Sequence, residues 1–335
     1  MALADPKKRL LCVIIDVGAA AYVRPLFEAW RDEAPAFEWR VLTSELAANS
    51  LGELIVGKVL KEGYLSRESE AVGFSDDVQD WSPNALLVSG GGWYVEHAHI
   101  EAARAAGIPS LQFIETWYGY KRRLTEGDRW VLPTVLGLID QNARDEAAAE
   151  GVPVEASEQI GQPLWETIKP MPATRSKDVW FIGAPIAQDY GKSLGYDEAD
   201  AWQMLQEVSN AHPDLIGNVY YAPHVLQPAD SIPADACIKR YDADLLSEFG
   251  TVVGCFSAPL VDAFLSNRRT ITLQPHANDE DLCALSRQGY LPRTTTKEGL
   301  VKALSQPASD ASGLRAELGG SLPRLRNALN EMVSP

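Results

Sequence analysis

Short apolar runs alternate along most of the chain with stretches whose apolar residues recur every three or four positions. That alternation predicts buried strands joined by amphipathic helices, a parallel sheet covered on both faces. In the first half the strands are LLCVIID, EWRVLTS, ALLVSGG, IPSLQFIE and TVLGLID, with helices YVRPLFEAWRDE, YVEHAHIEAARAAG and NARDEAAAEG between and after them. The rhythm then restarts with DVWFIGAP, NVYYAPH, TVVGCFS and RTITLQP as strands and EADAWQMLQEVSNA, DADLLSEFG and PLVDAFLSN as helices. The interruption is GQPLWETIKPMPATRSK, where three prolines and polar residues break the periodicity as a linker does. KEGLVKALSQ and SGLRAELGGSLPRLRNALNEM read as terminal helices, the last broken by Gly319, Gly320 and Pro323.

Length agrees with this division. At 335 residues the chain exceeds the ~100–200 residues of one domain, so two α/β domains are expected, 1–169 and 170–335. The expected architecture is two Rossmann-like domains facing across a cleft. Hydrophobic residues at 46% and charged residues at 23% are ordinary globular values, and no apolar stretch reaches the ~18 residues of a membrane span. The basic N-terminal residues precede an apolar run that is short and carries Asp16, so it reads as a first strand and not as a signal peptide. Cys12, Cys237, Cys255 and Cys283 are far apart and form no CxxC pair, which suggests reduced thiols in a cytoplasmic protein. A net charge of -16 argues against broad contact with nucleic acid or anionic lipid. Lys121-Arg122-Arg123 and Arg268-Arg269 are local basic spots, and peripheral membrane contact stays open.

Ligands of open parallel sheets sit beyond the carboxyl ends of the strands, so the residues after each apolar run carry the candidate chemistry. After the first strand, Asp16-Val17-Gly18-Ala19 turns into a helix whose free N–H groups suit an anion or a sugar hydroxyl. There is no GxGxxG, which argues against a dinucleotide. Gly90, Gly91 and Gly92, followed by Trp93-Tyr94 and Glu96, permit close backbone approach to a ligand. Glu115 ends IPSLQFIE beside aromatic and basic residues, where a carboxylate can act as a general base or pair with the adjacent arginines. Gly191-Lys192-Ser193 is not a Walker loop, because Ile186 stands where that motif needs glycine. His224 closes NVYYAPH at a strand end, and His97 and His99 are spaced wrongly for a zinc pair on a helix. In Gly254-Cys255-Phe256-Ser257-Ala258-Pro259-Leu260-Val261-Asp262, a strand delivers a small loop to a helix N-terminus, followed later by Gln274-Pro275. Such a turn either holds phosphate oxygens or is an ordinary capped crossover.

The second half resembles the donor-binding domain of GT-B glycosyltransferases and their relatives, which include UDP-N-acetylglucosamine 2-epimerases and bacterial sialyl- and Kdo-transferases. The resemblance lies in Ser257, Asp262 and the strand RTITLQP in that order, in Tyr221-Ala222-Pro223-His224, and in Gly161-Gln162-Pro163. In the first half GAAAYVRPLFEAW and AARAAGIPSLQFIETW resemble the acceptor-side segments of the same families. Asp262 replaces their commoner glutamate, and no proline follows His224. The resemblance implies a GT-B glycosyltransferase moving a sugar from a nucleotide-activated donor to a glycan or other acceptor, as in polysaccharide biosynthesis, without a metal or a tightly bound cofactor. Gly183, His224, Ser257, Ala258 and Asp262 would then hold the nucleotide, Gly18 and Gly91 would approach ligand, and Glu115, Glu96 or Asp16 would supply the base. A nucleotide-sugar epimerase or hydrolase of the same fold, or a non-catalytic binding protein that kept it, are the alternatives.

Overall fold

The computed structural model describes residues 7–55, 57–60, 80–225, 227–278 and 280–333. The chain divides into two compact units. One comprises the described residues up to Thr167 together with those from Glu317 onward, and the other is Ile168–Ala316.

The first unit contains β1 (Arg9–Ile14), β2 (Glu38–Ser44), β3 (Gly57–Leu60), β4 (Ala85–Val88), β5 (Ser110–Phe113), a small antiparallel hairpin of β6 (Thr125–Glu126) and β7 (Arg129–Trp130), then β8 (Val135–Leu138) and β9 (Ser157–Gln159). Outside the hairpin these strands form one sheet in the order β3-β2-β1-β4-β5-β8-β9, every pair parallel. β1 shows why its sequence is an unbroken apolar run. Leu10, Cys12 and Ile14 pack into one core with Ala19, Val23, Leu26 and Phe27 of the helix Val17–Asp32. Leu11, Val13 and Ile15 pack on the other face with Val95, Ile100 and Ala103 of the helix Tyr94–Ala105. A strand covered on both sides has no position to spare for a polar residue.

The helix Ser321–Val333 belongs to this first core, where a division at residue 170 would leave it with the second half. Leu325, Leu329 and Val333, four residues apart on one face, join the cluster around Val23 and Leu26. Glu166 receives the Leu322 N–H at 2.8 Å, and Gln162 N–H donates to Ser321 Oγ at 2.9 Å. Gly161 makes that approach possible, since a Cβ there would lie 2.0 Å from Ser321 Oγ.

The second unit contains β10 (Val179–Ile182), β11 (Val219–Ala222), β12 (Cys237–Ile238), β13 (Thr251–Gly254), β14 (Arg269–Leu273) and β15 (Arg293–Thr294). They pair in parallel in the order β12-β11-β10-β13-β14-β15. DADLLSEFG forms a 3-10 helix, Ala243–Glu248, in place of the expected α-helix. In both units the first strand lies inside the sheet and the strand order reverses beside it. The switch points are β1/β4 and β10/β13, where doubly wound sheets open a crevice. Among the described residues no helix is long and apolar enough to cross a membrane.

Candidate functional site

At the first switch point the chain leaving β1 passes through Ile15 to Asp16 and enters the helix Val17–Asp32. Asp16 occupies the position before the helix in extended conformation, but its side chain does not cap it. Oδ1 accepts the Trp93 indole N–H at 2.8 Å instead. The first N–H groups of the helix therefore gain nothing from this carboxylate, and a helix start always leaves such donors without an intrahelical partner.

Beyond β4, Ser89-Gly90-Gly91-Gly92-Trp93 wraps around a single carboxylate, that of Glu96. Oε1 accepts from the Ser89 hydroxyl and from Gly91 N–H at 3.2 Å, while Oε2 accepts from Gly92 N–H at 2.7 Å and Trp93 N–H at 2.9 Å. Ser89 Oγ also receives Ile15 N–H at 3.1 Å, which ties this loop to the end of β1. Glycine is demanded here by space. A Cβ on Gly91 would stand 2.0 Å from Asp16 Oδ2 and 2.5 Å from Trp93 Cδ1, and one on Gly90 would stand 2.4 Å from the Phe113 carbonyl.

Beyond β5, Glu115 meets Arg123 of the short helix Tyr120–Leu124, with Oε1 3.3 Å from Nη1 and the two side chains 13% and 8% exposed. The same Nη1 donates to the Gly90 carbonyl at 2.7 Å, and the guanidinium lies 5.5 Å from the centre of the Tyr118 ring. Glu115 also faces the first helix: a Cβ on Gly18 would be 3.8 Å from its Oε1. The loops after β1, β4 and β5 thus bring Asp16, Gly18, Gly91, Glu96 and Glu115 together, and they add Arg123 and Trp93.

Crowding in a half-dry site shifts the protonation of two of these carboxylates. Burial, and next the negative charge of Glu115, raise Asp16 to about 6, while the Trp93 hydrogen bond, Arg123 and Arg122 pull it back. Burial, and next Asp16, raise Glu96 to about 8 against its hydrogen bonds from Ser89, Trp93 and Gly91. Burial works against the charge of Arg123, yet Glu115, Tyr118 and Asp16 outweigh it and hold the guanidinium protonated. Glu96 is 0% exposed with both oxygens engaged, so this placement gives it the task of shaping the loop. Asp16 is partly exposed, with Oδ1 fixed by Trp93. It has the attributes of a proton acceptor near neutral pH.

In the second unit the candidates stand at the carboxyl ends of β10, β11 and β13. Gly183 is buried and its N–H donates to the Ala222 carbonyl at 2.8 Å. A Cβ there would press on Tyr221 Oη and Gln227 Oε1, each 2.8 Å away, so glycine serves the packing of this turn. Gln227 also shapes the turn at His224, accepting its N–H at 3.3 Å and donating its own backbone N–H to the His224 carbonyl at 3.0 Å. Burial lowers the His224 pKa and Asp189 opposes that shift, so the imidazole is held toward its neutral form. Ser257 and the exposed Ala258 lead into the helix Pro259–Leu265, with proline in its first turn. Asp262 accepts the Tyr241 hydroxyl at 2.6 Å, and the Tyr241 ring stacks on Trp180 with centroids 5.3 Å apart.

In each unit one residue has partners that no local sequence signal announces. Arg123 was visible only as one of three adjacent basic residues. Gln274 organises a network after β14: it is fully buried, donates to Asp281 Oδ1 at 2.7 Å and accepts Arg293 Nε at 2.8 Å. Asp281 in turn accepts the Ser286 hydroxyl at 2.5 Å and Cys283 N–H at 2.9 Å. Gln274 stands directly after β14, but its partners lie up to 19 residues away. Among the described residues no group of three or more His, Cys, Asp or Glu is placed to hold a metal ion.

No protein-family model and no curated protein matches the chain in sequence. Solved structures do match it in fold. The MnaA protein of S. aureus, solved with UDP, superposes with a TM-score of 0.68 at 15% identity, over 96% of each chain. The UDP-GlcNAc 2-epimerase of Neisseria meningitidis, bound to UDP-GlcNAc, gives 0.61 at 10% identity over 97% of this chain and 99% of that one. The glycotransferase of kitacinnamycin gives 0.61 at 16% identity over 98% and 100%. At such identities the likeness shows the fold, which is the GT-B fold of two Rossmann-like domains.

Proposed function

We propose that this protein acts on a nucleotide-activated sugar and transfers the sugar to an acceptor hydroxyl. The observation that carries the reading is the grouping of Asp16, Glu115 and Arg123 at the first switch point, in a fold whose neighbours were solved with UDP and UDP-GlcNAc. In this reading the second unit takes the nucleotide. Ser257 and the N–H groups leading into Pro259–Leu265 would receive phosphate oxygens, His224 and the turn at Gly183 would flank them, and Asp262 would reach the ribose from its bond to Tyr241. The first unit takes the acceptor. Asp16 Oδ2 would accept the proton of the attacking hydroxyl as its oxygen forms the new bond to the anomeric carbon and the bond to the nucleotide phosphate breaks. Arg123 pairs with Glu115 beside it, and its positive charge favours the ionised form of Asp16. The helix start and Ser257 would stabilise the departing phosphate, so the reading calls for no metal.

A second reading is favoured by one specific feature. Two carboxyl groups that interact through burial and charge can both remove and return a proton, which an epimerisation requires and a transfer does not. Calorimetric titration with UDP-, GDP-, CMP- and dTDP-sugars tests the shared premise, and no binding to any of them would overturn it. Product analysis in the absence of acceptor then separates the readings, since turnover under that condition defeats obligatory transfer.

A further inference from the structure

Trp93 is held from both ends yet left in the open. Its indole N–H is committed to Asp16 and its backbone N–H to Glu96, but the residue remains 37% exposed. A large aromatic ring fixed in orientation with part of its surface bare is an informative exception to burial. The ring forms one wall of a cavity of about 320 Å³, which Gly92, Tyr94, His97, Thr125 and Glu126 also line.

The β6–β7 hairpin lines the same cavity. It brings the Thr125 hydroxyl, which donates to the Lys121 carbonyl at 2.9 Å, and the Glu126 carboxylate, which Arg129 fixes through an ion pair at 2.5 Å. His97 contributes an imidazole whose Nε2 lies 2.9 Å from the Arg123 carbonyl. A carbonyl can only accept, so Nε2 is the donor in that bond.

Three properties define the ligand. The volume is at the small end of the ~300–1,000 Å³ range of small-molecule pockets. A partly exposed indole shares the cavity with a carboxylate and a hydroxyl, which suits a molecule with one C–H face and several hydroxyl groups. Among the described residues lining the cavity there is no lysine or arginine to pair with a phosphate, and its one acid, Glu126, is already paired with Arg129. We propose that this cavity binds an uncharged sugar ring, stacked on Trp93 and hydrogen-bonded to Glu126. The acceptor is then itself a carbohydrate, seated against the residue that positions Asp16. This inference rests on the transfer reading and names its acceptor class.

The test uses the full-length protein without nucleotide sugar. Saturation-transfer NMR with the methyl β-glycosides of glucose, galactose, mannose and N-acetylglucosamine is expected to show transfer to the ring C–H protons of at least one. Its affinity should fall about tenfold in Trp93→Leu and in Glu126→Gln, as loss of stacking or of a charge-assisted hydrogen bond implies. Transfer to none of the four, or undiminished affinity in Glu126→Gln, would overturn the proposal. The hairpin variant guards the experiment against a Trp93→Leu protein whose loop has collapsed. Wild-type protein is titrated with nucleotide sugars in parallel. Nucleotide-sugar binding without glycoside binding removes the pocket and leaves the transfer reading, whereas glycoside binding alone does the reverse.

Discussion

Replacing Glu96 by glutamine preserves the size of the side chain and abolishes its titration. The amide oxygen can still receive Gly92 and Trp93 N–H, and the amide nitrogen can donate to Ser89 Oγ. That nitrogen then faces the Gly91 N–H across the 3.2 Å now closed by a hydrogen bond. One buried donor facing another costs about 1–3 kcal/mol at any pH. The opposing effect depends on pH. Burial, then Asp16, raise Glu96 from the ordinary 4.5 to about 8, and at about 1.4 kcal/mol for each pH unit this amounts to about 5 kcal/mol. Between those values the folded protein holds a proton that the unfolded chain has released. The proton-linked stability is therefore complete below pH 4.5, declines as pH rises, and is lost above about 8. Wild type should be the more stable protein at pH 4.5, and the order should reverse at an intermediate pH. Urea unfolding of both proteins from pH 4.5 to 8.5 measures this, following the first transition. Subtracting one curve from the other removes every titration they share. Parallel curves would refute the reasoning, because they would mean that the four donors carry Glu96 as an ordinary carboxylate throughout.

Gly91→Ala should destabilise the first unit by about 1–3 kcal/mol and lower turnover about a hundredfold by displacing Asp16 and Trp93, read from thermal unfolding and steady-state rates. Retained activity would show that Oδ2 need not lie where it does. Asp16→Asn should lose about 10²–10⁴ in kcat, and the wild-type acid limb of kcat/KM near pH 6 should vanish with it; a variant that keeps that limb would assign it to another group. Tyr241→Phe removes the hydroxyl donated to Asp262 and should cost about 1–2 kcal/mol of stability. Weaker nucleotide binding in the same variant, measured by calorimetry, would show that Asp262 needs Tyr241 to hold its direction.

The central strands were legible because burial on both faces leaves an apolar signature: RLLCVI, ALLV, VWFI and TVVG all occupy sheet interiors. Edge strands carry no such signature. β9 is Ser-Glu-Gln, half-exposed or exposed throughout, and β12 is two exposed residues, so neither could be read from hydropathy. Position at a strand end drew attention to Asp16, Gly91 and Glu115, and the sheet topology converts those sequence positions into one place. It could not distinguish Asp16 from Glu96. Both are acidic and close to a turn, but only the folded loop shows that one is enclosed by donors and the other is partly open. Arg123 was hidden for a related reason, since nothing local tells which of three basic neighbours turns inward.

The helix Ser321–Val333 completes a core begun by residues more than 300 positions earlier. Translation must therefore pass through all of Ile168–Ala316 before the surface around Val23 and Leu26 can be covered. At ~5–20 residues per second that leaves the first sheet's apolar flank open on the ribosome for ~7–30 s. The second unit, continuous in sequence, suffers no such delay. A premature stop after Ala316 would release a chain with one finished half and one adhesive half. Ser321–Val333 is thus the segment whose arrival covers the apolar face around Val23 and Leu26.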